Sequence, residues 1–142
     1  YKNFYFLGRK FSFPVALEGA LKLKEISYVH SEAYPAGEMK HGPIALIDKN
    51  FPVFVIAPND SLYQKTISNL EEIKARKGIV VLVSDKPVEN KIDYLIKIPL
   101  TIEILYPLLT IPPLHLFAYY FANLLNLPID RPRNLAKSVT VE

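Results

Sequence analysis

The sequence predicts a doubly wound α/β fold, a parallel sheet with helices on both faces. Three features carry that expectation. Apolar runs of strand length recur at Asn3–Gly8, Phe51–Ala57, Ile79–Ser84 and Tyr94–Ile98. They are hydrophobic throughout instead of alternating, as strands covered on both faces are. Between them lie segments with helical periodicity, the order that builds crossover units and a parallel sheet.

Taken in order, Asn3 to Gly8 is expected as a buried strand closed by glycine, with Arg9 to Phe13 as the following loop. Pro14 to Tyr28 reads as one amphipathic helix, with Pro14 where a first helical position tolerates proline. Ser31 to Gly37 breaks the helical pattern with Pro35 and Gly37. A turn at Lys40-His41-Gly42-Pro43 then leads into a short helical piece through Ile44, Leu46 and Ile47. Phe51 to Ala57 is the second strand, stopped at Pro58-Asn59-Asp60. Asp60 or Ser61 is placed to N-cap a helix running to Lys77, with Ile67, Leu70 and Ile73 as its apolar face and Gly78 ending it. Ile79 to Ser84 is the third strand and Tyr94 to Ile98 a fourth. A long apolar helical segment follows, and Asp130 to Glu142 is polar at first and then extended.

Composition narrows the function classes. At 142 residues, half of them hydrophobic, the chain is one domain with material for a full core. The net charge of +3 is spread thinly, and its one local cluster, Arg131, Arg133 and Lys137, is too small to point to nucleic acid. There is no cysteine, which excludes disulfides and thiolate metal sites and fits a reducing cytoplasm. The three histidines are far apart and show no HxxxH spacing, so neither a metal nor a cofactor is expected. No signal peptide is visible, and the chain enters a strand-like run at Tyr1 without a starting methionine, as a piece cut from something longer would. The tract from Ile102 to Leu127 is long enough to consider as a bilayer span. Pro107, Pro112, Pro113 and its polar residues favour a buried, kinked helix pair in a soluble core with no membrane partner.

The first helix carries the most informative pattern. Glu18, Lys22 and Glu25 fall within roughly 60° of one another, a charged stripe about 10 Å long. Ala16, Ala20, Leu23, Leu17 and Leu21 fill an adjoining apolar arc expected to bury against the sheet. An acid, a base and an acid in line could handle protons. The plainer reading is a solvated i,i+4 ion pair worth a few tenths of a kcal/mol. Ligands of this architecture sit at the carboxyl ends of the strands, where Gly8-Arg9, Pro58-Asn59 and Asp85-Lys86 should lie. None of these loops carries a glycine-rich or Ser/Thr-rich phosphate cradle, so the usual anion pocket looks empty.

Four stretches together resemble one family: ALEGALKLKEISY at Ala16 to Tyr28, EAYPAGEMKHGP at Glu32 to Pro43, VIAPN at Val55 to Asn59, and DRPRNLAKSVTVE from Asp130. The chain resembles the second sugar-isomerase (SIS) half of the isomerase domain of the glutamine–fructose-6-phosphate aminotransferases, or glucosamine-6-phosphate synthases. The resemblance implies a flavodoxin-like three-layer sandwich, a single SIS domain over 1–142 whose tail, 130–142, covers the sugar site. It implies conversion of fructose-6-phosphate and glutamine-derived ammonia to glucosamine-6-phosphate. It also implies partners: a sugar phosphate, a first SIS half and a glutaminase domain of the same enzyme, and a second copy in a homodimer.

Position by position, the resemblance makes Glu25 the base that shuttles a proton between the first two sugar carbons. Lys137 becomes the imine-forming lysine, and His41 the ring-opening histidine, supplied by the neighbouring subunit. Glu18 and Lys22 match supporting positions, and the Ala136 backbone lines the sugar site. The chemistry suits these residue types: a carboxylate returns the proton it accepts, and a neutral amine attacks a ketone. The chain departs from the family where a second glycine usually follows two positions after Gly8; here Lys10 stands. Two other readings remain open: a free-standing sugar-phosphate-binding or regulatory SIS module, and a related SIS deaminase or isomerase of amino sugars. The isolated 142 residues are expected to be inactive, since they carry neither phosphate loops nor a glutaminase cysteine.

Overall fold

The structure, a computed structural model, describes residues 1–86 and 92–135. Its elements are β1 (Asn3–Gly8), α1 (Ser12–Ser27), β2 (His30–Pro35), β3 (Pro52–Ile56), α2 (Tyr63–Lys74), β4 (Ile79–Ser84), β5 (Tyr94–Lys97) and α3 (Tyr106–Leu124), with short 3-10 turns at Ala36–His41, Pro43–Leu46 and Glu103–Leu105. All strand pairs are parallel, in the order β2-β1-β3-β4-β5. That is the flavodoxin-like doubly wound order. The expected α/β fold class is therefore the observed one.

Period-two alternation in the buried strands feeds two cores. Phe4 and Phe6 of β1, Phe54 and Ile56 of β3 and Val83 of β4 meet Val15, Ala16, Ala20 and Leu23 of α1 and Leu114 and Ala118 of α3. The aromatic centre is tight: Phe6 stacks on Phe54 at 4.7 Å, and Phe117 of α3 meets Phe54 at 4.6 Å. On the opposite face, Tyr5, Leu7, Val53, Val55, Val80 and Leu82 meet Leu70 and Ile73 of α2 and Ala36 and Met39 of the first 3-10 turn.

Several elements differ from the expectation. Four strands were expected and five form. The additional one, β2, spans the stretch read as a break, pairing with β1 from Asn3↔His30 to Gly8↔Pro35. It is an edge strand whose only buried residue is Ser31, so it carries no hydrophobic run; Pro35 ends it, where a missing N–H breaks no inner ladder. The first helix starts at Ser12, two residues before Pro14. A Cβ at Gly8 would stand 2.2 Å from the Ser12 carbonyl oxygen, so only glycine lets the helix begin directly on the strand end. On the second helix Asp60 does not cap the first turn; its Oδ1 accepts the Leu62 N–H at 2.9 Å, in the turn before it. The left-handed residue beyond that helix is Lys77 (φ 64°), while Gly78 is required sterically, because a Cβ there would meet Ile73 Cγ2 at 2.6 Å and Ile47 Cγ2 at 2.7 Å.

The apolar tract forms one helix rather than a kinked pair, with Pro112 and Pro113 inside it. Its length and composition would let it cross a bilayer. Tyr106, Thr110, Leu114, Ala118 and Ala122 of this helix pack inward on the core, while Leu108, Leu116, Tyr120 and Leu124 are exposed.

Candidate active site on the first helix

α1 owes its position to one missing side chain. A Cβ at Gly19 would lie 2.7 Å from Leu114 Cδ1 and 3.1 Å from the Phe6 ring. Glycine at this point lets α3 close onto α1 over the first strand. The apolar arc beside it splits: Val15, Ala16, Ala20 and Leu23 are buried, while Leu17 and Leu21 remain 48% and 44% exposed.

On the same helix the charged stripe is a connected chain of groups. Lys22 Nζ donates to Glu25 Oε2 at 2.9 Å and stands 3.8 Å from Glu18 Oε1. The bond to Glu25 is the main reason the Lys22 ammonium titrates above its ordinary range; desolvation opposes it, and the Glu18 and Glu25 charges add smaller upward contributions. From the neighbouring helix, His115 Nε2 reaches Glu18 Oε1 at 2.8 Å. So the structure brings Glu18, Lys22 and Glu25 together and adds a histidine that spacing on α1 could not show. A cleft of about 470 Å³ lined by Pro14, Glu18, Lys24, Glu32 and Tyr34 opens beside this stripe, between α1 and the edge strand.

The far end of α1 holds a second arrangement absent from the sequence reading. Tyr28, in the left-handed conformation at φ 61°, closes the helix with its N–H on the Lys24 carbonyl. Its hydroxyl oxygen accepts the backbone N–H of Arg133 at 2.8 Å, and the Arg133 guanidinium lies over its ring at 4.1 Å. A left-handed tyrosine costs roughly 1–2 kcal/mol relative to its usual conformations; ring and hydroxyl here hold Arg133, near the start of the tail. Ala136 and Lys137 lie outside the described residues, as does the tail from residue 136 onward.

His41 stands apart from these groups. It ends the first 3-10 turn, next to Gly42 at φ 152°, a conformation that favours glycine. Its side chain is 68% exposed and pairs with Glu38 at 3.9 Å. Met39, two residues earlier, packs into the α2-side core, on the sheet face opposite α1. Among the described residues no hydrogen bond or ion pair links His41 to Glu18, Lys22 or Glu25.

The crevice between the carboxyl ends of β1 and β3 is the ligand position of this topology, and an exposed cluster of hydrogen bonds forms on the loop that follows β1. Lys10, where the family's second glycine is missing, keeps a left-handed backbone (φ 52°). Its Nζ bonds Glu103 Oε1 at 2.5 Å and Ser61 Oγ at 3.1 Å. Glu103 also accepts from the Ser61 N–H at 3.3 Å, and the Lys10 bond above all holds its carboxyl below the usual range. Among the described residues no group of three or more His, Asp or Glu side chains is placed to hold a metal ion.

Comparison with known proteins agrees with this architecture. The family model for the SIS domain matches residues 1–124. The glutamine–fructose-6-phosphate aminotransferases (isomerizing) of Aquifex aeolicus and Bacteroides thetaiotaomicron are 58% and 59% identical over 99% of this chain. The chain spans about a quarter of the length of these curated relatives, 24% and 23%. Among solved structures, the C-terminal domain of glucosamine-fructose-6-phosphate aminotransferase from Francisella tularensis superimposes with a TM-score of 0.84 at 42% identity, over 92% of this chain and 38% of that one. A glucosamine-6-phosphate deaminase of Thermotoga maritima gives 0.74 at 28% identity, over 98% and 40%. With the five-stranded order, the crossover helices and the match over residues 1–124, the chain belongs to the SIS domain family.

Proposed function

We propose that this chain is the second SIS half of an isomerising aminotransferase, which makes glucosamine-6-phosphate from fructose-6-phosphate and glutamine-derived ammonia. Relatives of that name at 51–59% identity across nearly the whole chain support the reaction class. The observation that carries the site is the relay on α1, where Glu25 is bonded to an ammonium that a second carboxylate also faces. In this reading Glu25 takes a proton from one of the first two sugar carbons and returns it to the other. Lys22 Nζ, 2.9 Å from Glu25 Oε2, holds in place the carboxylate that would accept the proton.

Lys137 forms the imine with the open-chain ketose, and the Ala136 backbone lines the sugar. Arg133 supports this reading, because its contacts to Tyr28 bring the start of the tail to the helix end nearest Glu25. His41 opens the sugar ring from the neighbouring subunit of a homodimer, a role suited to a side chain so exposed and with no bond to the relay among the described residues. An unpartnered apolar strip on α3, with Leu108, Leu116, Tyr120 and Leu124 exposed, is the kind of surface a first SIS half would cover. The glutaminase domain, hexosamine synthesis and a cytoplasmic setting belong to the same proposal.

The test is Glu25→Gln in the complete enzyme, meaning this chain joined to the amino-terminal portion its relatives carry. The variant should bind fructose-6-phosphate with nearly unchanged affinity yet stop exchanging the substrate's carbon-bound proton with solvent. Continued exchange excludes Glu25 as the base. The likeness to the Thermotoga deaminase supports one alternative, an amino-sugar deaminase. Glutamine-independent release of ammonia from glucosamine-6-phosphate, without the forward synthesis, would favour it.

A further inference from the structure

The relay has one member that the chemistry above does not use. His115 projects from α3, and its Nε2 lies 2.8 Å from Glu18 Oε1. A carboxylate oxygen only accepts, so the ring N–H is the donor. The same Oε1 is 3.8 Å from Lys22 Nζ, while that nitrogen makes its short bond, 2.9 Å, to Glu25. Lys22 therefore stands between two carboxylates and has closed on one of them.

We propose that His115 is a positioning residue for proton transfer: by supplying Glu18 with a donor from α3, it leaves the Lys22 ammonium free to hold Glu25 in one orientation. This rests on reading Glu25 as the proton shuttle. Without His115, Glu18 has lost its closest donor and draws Lys22 toward itself, so Glu25 loses its fixed partner. The contact is built in by packing. Leu114, almost fully buried, fills the space that Gly19 leaves on α1, which brings the adjacent residues His115 and Glu18 face to face. The side chains of His115 and Glu18 are 43% and 32% exposed, and a contact so exposed adds little to stability. Its effect belongs in turnover.

The test compares His115→Gln with His115→Asn in the complete enzyme. Both carry the same amide donor, but only glutamine approaches the reach of the imidazole Nε2. For His115→Asn, kcat should fall about tenfold, within the range for a slightly misplaced catalytic group, with KM changed less than about twofold. Solvent exchange of the carbon-bound proton should slow by the same factor. His115→Gln should keep at least about half of kcat, and both variants should melt at the wild-type temperature. Glu25→Gln is measured alongside. If it still exchanges the proton, the reading of Glu25 fails whatever His115 does. If it is inactive in exchange while His115→Asn turns over at the wild-type rate, the His115 proposal is overturned. It is equally overturned if His115→Gln is as slow as His115→Asn, or if activity falls only as far as the protein unfolds.

Discussion

The helix carrying Glu25 and the turn carrying His41 are both parts of the proposed site, and this chain treats them in opposite ways. On α1 every charged group of the stripe is bonded within the chain: Glu25 to Lys22, Lys22 toward Glu18, Glu18 to His115. His41 lies at the surface, on a turn packed into the other core, with one loose partner in Glu38. A group whose partners are internal is oriented before substrate arrives, and orientation is a large share of what a proton-transfer site supplies. A group held only by one loose surface contact is left to take its geometry from whatever docks on it. In the proposed homodimer, the difference separates what this chain builds alone from what a second copy would complete.

The sharpest way to break the first region is at Gly19. Gly19→Val places branched carbon against Leu114 and Phe6, a core overpacking of about 1–3 kcal/mol. It should also push α3 away and break the His115–Glu18 contact, so kcat should fall more than tenfold, beyond what His115→Asn does alone. Thermal melting and steady-state kinetics on one preparation separate the two effects. If turnover is normal in a folded Gly19→Val protein, helix contact does not order the relay.

A smaller effect is expected at Tyr28. Tyr28→Phe keeps the ring under Arg133 and loses one hydrogen bond worth about 0.5–1.5 kcal/mol; Tyr28→Ala loses both contacts. Trapping of fructose-6-phosphate by borohydride should slow slightly in the first variant and strongly in the second. Equal trapping in both variants and wild type would free the tail from this anchor. His41→Ala sharpens the other side of the comparison. As a surface substitution it should leave stability within about 0.5 kcal/mol, and it should slow turnover of ring-closed substrate more than of open-chain substrate.

The smallest effect is a pH dependence away from both regions. Burial raises the Asp93 carboxyl, but the bonds from Lys74 Nζ at 2.8 Å and the Val80 N–H at 2.7 Å outweigh it and leave it below the usual range. A depressed carboxyl stabilises the fold above its unfolded value, near pH 4, and that contribution fades as pH falls through the lower folded value. Denaturant titrations should therefore show Asp93→Asn weaker than wild type at pH 7, with the gap closing below about pH 4. A gap that widens on acidification would contradict the assignment.

How much of this was legible in the sequence follows from the range of each interaction. The relay on α1 is local: three charges within two turns follow from helical period alone, and the spacing found them. β1, β3 and β4 announced themselves as unbroken apolar runs. β2 did not, because an edge strand is covered on one side only and HSEAYP carries no such run. In α3, the prolines marked a break that packing overrode, since its inner face is held along its whole length. Lys10 was visible as a missing glycine, but its partner Glu103 lies 93 residues away and could not be read from the sequence. His115 was one polar residue in an apolar tract, and its partner sits on another helix. Contacts of that separation exist only once Gly19 has let α3 dock.

The central claim, that one chain assembles the proton relay while its partner delivers the ring-opening histidine, is tested most directly by mixing two impaired variants of the complete enzyme, Glu25→Gln and His41→Ala, on ring-closed substrate. In a hybrid dimer one site joins an intact Glu25 to an intact His41 from the other subunit, so random exchange of subunits should restore about a quarter of wild-type turnover. A mixture no more active than its separate components would contradict the account.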